Sequence, residues 1–481
     1  MRLKLHSFLT ILTLLFFVGV NSQTKKWSLI SKKTSNFTKN ELKFRKHYPS
    51  KSKVYSLNYN DFKNSIINVS SKGNKIVELP TEIGLQKFSV REASSMAPEL
   101  SAKFPMIKSY VGQGIDDKSQ VTRFSLGTDG LHAVIYTVGK QTYYIDPYTS
   151  DNNNYLTYSR GSLSKIQSDF ECLVEEQVES SQIKQEFSNR NADDGLLRTF
   201  RLAIVCSGEY AQFHLNNQGV SSGATDAVKK AAVLSAMNTS MTRINGVYER
   251  DLGVKMEIVA NNDDVIFLDA STDGITDGSA STMINEVQTI CDNQIGSENY
   301  DIGHIFSIGG SGLAGLGVVC VNGQKARGVT GIASPDGDPY DIEFVAHEIG
   351  HQFGATHTQN NDCNRSSSTA VEPGSGSTIM GYIGICSPDD INLGNTGDGE
   401  PYFHAQTMIE IYGFIQGGAN CAALTDNGNN IPTVSVAYTS KALPVSSPFC
   451  LFGTVDDPDG NASLTYTWDQ MDTDFVTMPP V

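Results

Sequence analysis

Phe344-Val345-Ala346-His347-Glu348-Ile349-Gly350-His351-Gln352-Phe353-Gly354-Ala355-Thr356-His357 is the stretch on which the reading of this chain turns. His347 and His351 are four residues apart, so on a helix their rings leave the same face one turn apart. Two imidazoles at that spacing can hold one metal ion from a rigid backbone. Glu348 stands beside the first of them, placed to reach a water at the ion without binding the ion itself. Gly354 ends the helix, because only a residue tolerant of positive φ turns the chain so sharply. The turn carries His357 round as a third ligand. Three neutral nitrogens leave zinc one position for water, which is the arrangement of a catalytic site and not of a closed structural one.

Working outward, 481 residues exceed what one core supports and suggest two to four domains. The 43 glycines, with many Asn, Ser and Thr, suit an extracellular, loop-rich protein. Residues 1–22 read as a secretory signal: Arg2 and Lys4, an apolar run over 8–20, then Val20-Asn21-Ser22. That run is too short to span a membrane comfortably, and no other stretch is long and apolar enough. Charge is uneven. Residues 23–100 carry 15 Lys and Arg against 6 Asp and Glu, whereas residues 197–425 carry 10 against 26. The basic end is either a solvated segment or a removable one that docks on the acidic part. With a net charge of −15 and no recognised binding motif, nucleic acid is excluded as a partner.

Residues 23–196 contain strand-like alternation at 123–126, 132–136 and 142–146, separated by turns at 127–130 and 138–140. Residues 175–195 read as an exposed linker. Residues 200–206 are apolar and β-forming, a central strand, and 226–248 form a helix with Leu234, Met237, Met241, Ile244 and Tyr248 on one stripe. A strand at 254–260 and a helix at 282–295 follow. The Asp- and Gly-rich loop between them offers oxygen ligands for Ca2+, but it lacks the regular calcium-loop spacing and so reads first as a solvated loop. A last helix follows Pro401-Tyr402-Phe403-His404, with His404 in a structural role. Strand-like runs at 434–436, 449–454 and 464–468 suggest an Ig-like sandwich, too short here to be whole.

The histidine stretch resembles the metzincin clan of zinc endopeptidases. The clan's methionine turn is matched by Ser377-Thr378-Ile379-Met380-Gly381-Tyr382, with Met380 expected as a soft floor under the ligand rings. Asp301-Ile302-Gly303-His304-Ile305-Phe306 looks like the third sheet strand of the reprolysin branch, which includes the ADAM and snake-venom enzymes. Gly312-Leu313-Ala314-Gly315-Leu316-Gly317-Val318-Val319-Cys320 is similar to that branch's cleft-edge strand, which pairs with extended substrate. Arg327-Gly328-Val329-Thr330 would feed the zinc helix. Two residues depart from the pattern. Thr358 stands where reprolysins usually carry Asp, and Met380-x-Tyr382 is instead similar to astacins and serralysins, whose tyrosine can ligate zinc. Tyr382 is therefore either a further ligand or transition-state stabiliser, or a cleft-wall residue.

The resemblance implies an α/β (α+β) metzincin domain over 197–427, a mixed twisted sheet with long helices and a zinc cleft. A β-rich prodomain at 23–196 would precede it, and a partial Ig-like β-sandwich would occupy 428–481. It implies zinc held by His347, His351 and His357, with Glu348 as general base. The activity is that of an exported endopeptidase on extended protein segments, with the prodomain as its inhibitor. The rival is an exported adhesin with a non-catalytic zinc site, against which the intact Glu348 speaks. Eight cysteines complete the picture. The six from Cys206 to Cys421 can close three disulfides, leaving Cys172 and Cys450. In reprolysin-like zymogens a prodomain cysteine fills the fourth zinc position, so Cys172 is a candidate plug, although the usual flanking residues are absent. A Cys172–Cys450 bridge and an inert thiol are the alternatives. Cleavage between Cys172 and Phe200, after Arg190 or Arg198, would then release activity.

Overall fold

The computed structural model describes residues 26–30, 37–38, 41–45, 48–163, 170–174, 193–383, 401–464 and 466–473. The expected signal at 1–22 lies outside them, as do Arg190 and most of the expected linker. No helix among the described residues is long and apolar enough to cross a membrane.

The first sheet takes β1 (Trp27–Ile30), β2 (Lys53–Leu57), β3 (Lys75–Thr81), β4 (Gly84–Glu92), β5 (Lys108–Gly114), β6 (Val121–Gly127), β7 (Gly130–Tyr136), β8 (Tyr143–Pro147) and β9 (Asn154–Ser159). Its order is β1-β2-β9-β8-β7-β6-β5-β4-β3, antiparallel throughout. Alternation puts Phe88, Tyr110 and Phe124 on one face, where helix α1 (Tyr59–Ile66) adds Tyr59, Phe62 and Ile66. A short helix, α2 (Pro98–Lys103), follows β4.

The second sheet is mixed. Its centre is β10 (Leu196–Cys206), whose 200–206 run is buried except for Arg201, as a strand covered on both faces must be. The order is β11 (Val254–Ile258), β10, β12 (Ile302–Ser307), β14 (Gly328–Gly331), β13 (Ser311–Ala314), and β15 (Ala423–Asp426) also pairs with β10. Only β13 and β15 run antiparallel to their neighbours. Around the sheet lie α3 (Gly208–Asn217), α4 (Asp226–Leu252), α5 (Ala280–Ile290), α6 (Ala346–Gln352) and α7 (Ala405–Gly417). The mixed α/β class expected for this part of the chain is what forms.

Helix α4 joins the two sheets. Its apolar stripe, with Leu234, Met237, Met241, Ile244 and Tyr248, enters the second core as expected. Its polar stripe is buried too, against β5, β6 and the β6–β7 turn. Ser109 Oγ donates to Asn238 at 3.0 Å and Ser125 Oγ meets Thr239 Oγ1 at 2.8 Å. Ser235 donates to Asp129, and Arg123 pairs with Glu249. Arg243 bridges Asp146 of the first sheet and Asp341 of the second, each at 2.8 Å. Residues 95–97 extend the second sheet at β11: Ala97 N donates to Ile258 O and Ile258 N to Ser95 O, both at 2.8 Å.

Six expectations change. The cleft-edge strand stops at Ala314. Gly315 N still bonds Arg327 O, but Gly317 N and Val318 N turn away to the carbonyls of His351 and Gln352, satisfying the open end of α6. The three internal disulfides do not form: Cys320 pairs with Cys421 and Cys363 is also disulfide-bonded, but Cys206 and Cys291 are buried free thiols in separate cores. Cys172 and Cys450 are free, so they do not bridge. Among the described residues, the cations that the first 196 residues pair with the second unit are Lys103, Arg123 and Arg160, all beyond the basic stretch, while Lys43 and Arg45 turn to Asp129 and Asp146 of their own sheet. Arg198 is buried inside β10, paired with Asp194 and stacked on Tyr412, and is no cleavage site in this fold. At the C-terminal end, β16 (Thr433–Val436) and β17 (Gly453–Asp456) make an exposed two-stranded ribbon. Among the described residues it meets no second sheet, so the expected sandwich is not seen.

Candidate metal centre

Helix α6 follows a π-helical stretch, Pro339–Val345, and is buried over its whole length. It breaks where the sequence places the glycine: Gly354 has φ +90°, and its amide bonds His351 O at 2.8 Å. The returning chain brings His357 back beside the helix.

The three rings are oriented by backbone carbonyls. His347 Nδ1 faces Ile379 O at 2.7 Å, His351 Nδ1 faces Ala355 O at 2.7 Å, and His357 Nδ1 faces Asn364 O at 2.9 Å. A carbonyl only accepts, so each Nδ1 carries the proton and each Nε2 presents a lone pair. The three Nε2 atoms lie 3.1, 3.1 and 3.3 Å from one another. Among the described residues the Cys172 thiol approaches this group, with Sγ 3.5 Å from His351 Nε2. Burial holds His347 down to about 4, and burial with the neighbouring histidines holds His351 and His357 well below the usual range. Buried neutral acceptors facing one another call for a cation. Nitrogen ligands about 2.0–2.1 Å from a tetrahedral zinc stand about 3.3 Å apart, so the donor set fits that ion. The ligand atoms of Cys172, His347, His351 and His357 all lie within 4.8 Å of one another.

Glu348 is fully buried beside this group, and neither carboxylate oxygen has a nitrogen or oxygen partner. Burial pushes its carboxyl up to about 8, with the Cys172 thiol acting the other way. Gly312 on β13 makes room for it: a Cβ there would stand 2.0 Å from Glu348 Oε1 and 2.5 Å from Phe170 Cζ. Met380 is buried, its sulfur packed against Gly350 on α6. His404 caps α7 by accepting from Gln406 N, a structural role as expected.

Residues 170–174 lie along β13. Gly312 N donates to Glu171 O at 3.0 Å and Leu173 N to Gly312 O at 2.9 Å, a parallel bridge. Leu313 and Ala314 contribute to the apolar cluster that receives Phe170, Cys172 and Val174. Phe170 stacks on Phe344 at 4.0 Å, and Tyr382 packs its ring 4.6 Å from that of His357. The Tyr382 hydroxyl donates to Cys172 O at 3.0 Å.

The acidic loop at 261–279 uses its carboxylates on its own backbone, on the start of α3 and on Lys103. Asp269 accepts from Ser271 N, and Asp273 from Gly208 N and Ile275 N. Asp277 accepts from Ser207 Oγ. The calcium expectation therefore finds no support.

Sequence reasoning missed two residues here. Glu372 accepts from Ser377 N, Thr378 N, Thr378 Oγ1 and Thr358 Oγ1, tying the ligand loop to the methionine turn. Asn364, at φ +48°, orients His357 through its carbonyl. The run Asn361-Asp362-Cys363-Asn364 signals a turn, but not what the turn touches.

No curated protein matches the chain. Residues 197–396 match the family model described as metallo-peptidase family M12B, reprolysin-like. His347, His351 and His357 lie inside that segment, which is similar to the reprolysin-like metallopeptidases.

Proposed function

We propose that the protein is a secreted zinc-dependent endopeptidase, held latent by residues 170–174. The observation that carries the reading is the convergence of three deprotonated Nε2 atoms beside a buried carboxylate that has no nitrogen or oxygen partner. His347, His351 and His357 would hold the zinc. Zinc bound there supplies a Lewis acid for the scissile carbonyl and makes water a nucleophile near neutral pH. Glu348 takes a proton from the attacking water on one carboxylate oxygen and delivers it to the leaving amine nitrogen, a shuttle suited to a carboxyl titrating near neutrality. Edge strand β13 offers Gly312 N and O to an extended chain, which favours cleavage within a polypeptide. Tyr382, whose ring packs 4.6 Å from that of His357, would steady the carbonyl under attack. Cys172 supports latency, because its sulfur completes a four-ligand set where water would otherwise enter. The Cys320–Cys421 disulfide supports export.

That four-ligand set also favours a second reading, a closed zinc site in an exported binding protein, and the two diverge in one assay. Glu348→Gln should keep its zinc and lose casein hydrolysis by about 10²-fold or more. Cys172→Ser should hydrolyse casein before any cleavage. Equal turnover by wild type and Glu348→Gln would refute the mechanism. No turnover by any form, including a nicked chain freed of its N-terminal piece in mild urea, would favour the binding protein.

A further inference from the structure

Among the described residues, no hydrogen bond joins the Asn364 side chain to its own loop. Its carbonyl orients His357, but its amide nitrogen reaches only groups in the cleft: Val174 O at 2.8 Å, Cys172 O at 3.2 Å and the Tyr382 hydroxyl at 3.0 Å. A non-glycine residue at φ +48° is uncommon, and asparagine is among the few side chains that tolerate it. The carbonyls it grips belong to residues i and i+2 of an extended segment. On the opposite edge Gly312 bonds the alternate residues, Glu171 and Leu173. Peptide groups of an extended chain alternate sides, so one edge of the cleft takes odd residues and the other takes even ones.

The geometry points to Asn364 as a peptide-backbone clamp, the wall of the substrate cleft opposite β13. It holds residues 170–174 now and an extended substrate once they leave. This rests on the peptidase reading above. Any extended peptide laid along β13 turns alternate carbonyls toward Asn364, whichever way it runs and whatever its side chains. Recognition at these positions is therefore of backbone, and the ligand class is unfolded or extended polypeptide.

The test uses the full chain with Asn364→Gly, which keeps the carbonyl for His357 at a compatible φ, and Asn364→Asp, which keeps the shape but faces the carbonyls with oxygen. Zinc content and melting temperature are the fold controls. The first readout is the rate of iodoacetamide labelling at Cys172, located by mass spectrometry. The second is KM and kcat on an unstructured eight-residue peptide after a nick between Val174 and Asp193 and removal of the N-terminal piece in mild urea. Both variants should label about tenfold faster, as expected for losing two hydrogen bonds, and should raise KM about tenfold with a smaller change in kcat. Unchanged labelling in folded, zinc-loaded variants would overturn the clamp. So would faster labelling with unchanged KM, because Asn364 would then grip only the plug. If wild type hydrolyses nothing, the peptidase reading fails and the labelling rates alone decide the clamp.

Discussion

Thr358 occupies the position where the resembling enzymes usually place an aspartate, and the carboxylate comes instead from Glu372. One oxygen takes Ser377 N and Thr378 N at 2.9 and 3.1 Å, and the other takes the hydroxyls of Thr358 and Thr378. The turn so held presents Ile379 O to His347 Nδ1, which fixes the ring's tautomer. Glu372→Gln replaces one acceptor by a donor that faces two hydroxyls already committed to donating. It should weaken zinc retention about ten- to hundredfold, read as a lower chelator concentration for half-loss of metal. An unmoved chelator midpoint would make Glu372 a mere surface of the turn. The contrast with the histidines explains what could be read beforehand. His347, Glu348, His351 and His357 are placed by one helical turn and one glycine, all local rules. Glu372 and Asn364 act through loops that fold back on the site, and no periodicity encodes where a loop returns.

Helix α4 shows the same limit at the scale of elements. Its 3.6-residue repeat identified the apolar stripe, because burial against one core leaves a periodic mark. Ser235, Asn238, Thr239 and Thr242 look like a solvent face by that criterion, yet they are buried under the first sheet, paired hydroxyl to hydroxyl and hydroxyl to amide. The edge strand was overread for a related reason: the apolar run continues past Ala314 while its amides are taken by the end of α6. His132 on β7 serves the buried layer from behind. Its Nδ1 lies 2.8 Å from Asp146 and its Nε2 3.4 Å from Asp129, the two carboxylates that hold Arg243 and Ser235. Burial opposes its charge, but the two carboxylates outweigh burial and hold the imidazole above its ordinary value. A raised histidine contributes stability that is complete below its unfolded pKa of about 6.5 and is lost as pH rises through the folded value. The melting temperature lost on His132→Gln should accordingly be larger at pH 5.5 than at pH 8. A loss independent of pH would mean that the ring is neutral and merely packs.

Across the whole molecule, the first sheet is bound to the second at several separate places. Residues 95–97 lengthen the second sheet at β11, and Met96, Leu100, Phe104 and Ile107 enter its main core. The polar stripe of α4 is covered, and Lys103, Arg123 and Arg160 pair with Asp263, Glu249 and Glu343 across the contact. Residues 170–174 lie in the cleft under Asn364 and Tyr382. A single cut between Val174 and Asp193 breaks none of these contacts. Such a nicked chain should therefore still run as one species on size exclusion at micromolar concentration, and should stay largely latent. Apart from the exposed Lys103, the paired charges are too buried for moderate salt to screen them, so raising salt alone should not part the pieces. Mild urea should separate them, and activity should appear in step with the loss of the larger species. Full activity on cleavage, with both pieces still co-eluting, would mean that the plug alone confers latency and leaves the cleft once its tether is cut. Separation on cleavage without urea would mean that the covered face of α4 contributes little to holding the sheets together. The expected order is cleavage first, dissociation second and hydrolysis last, because residues 170–174 are joined to the sheet that precedes them and a cut after Val174 leaves that joint intact.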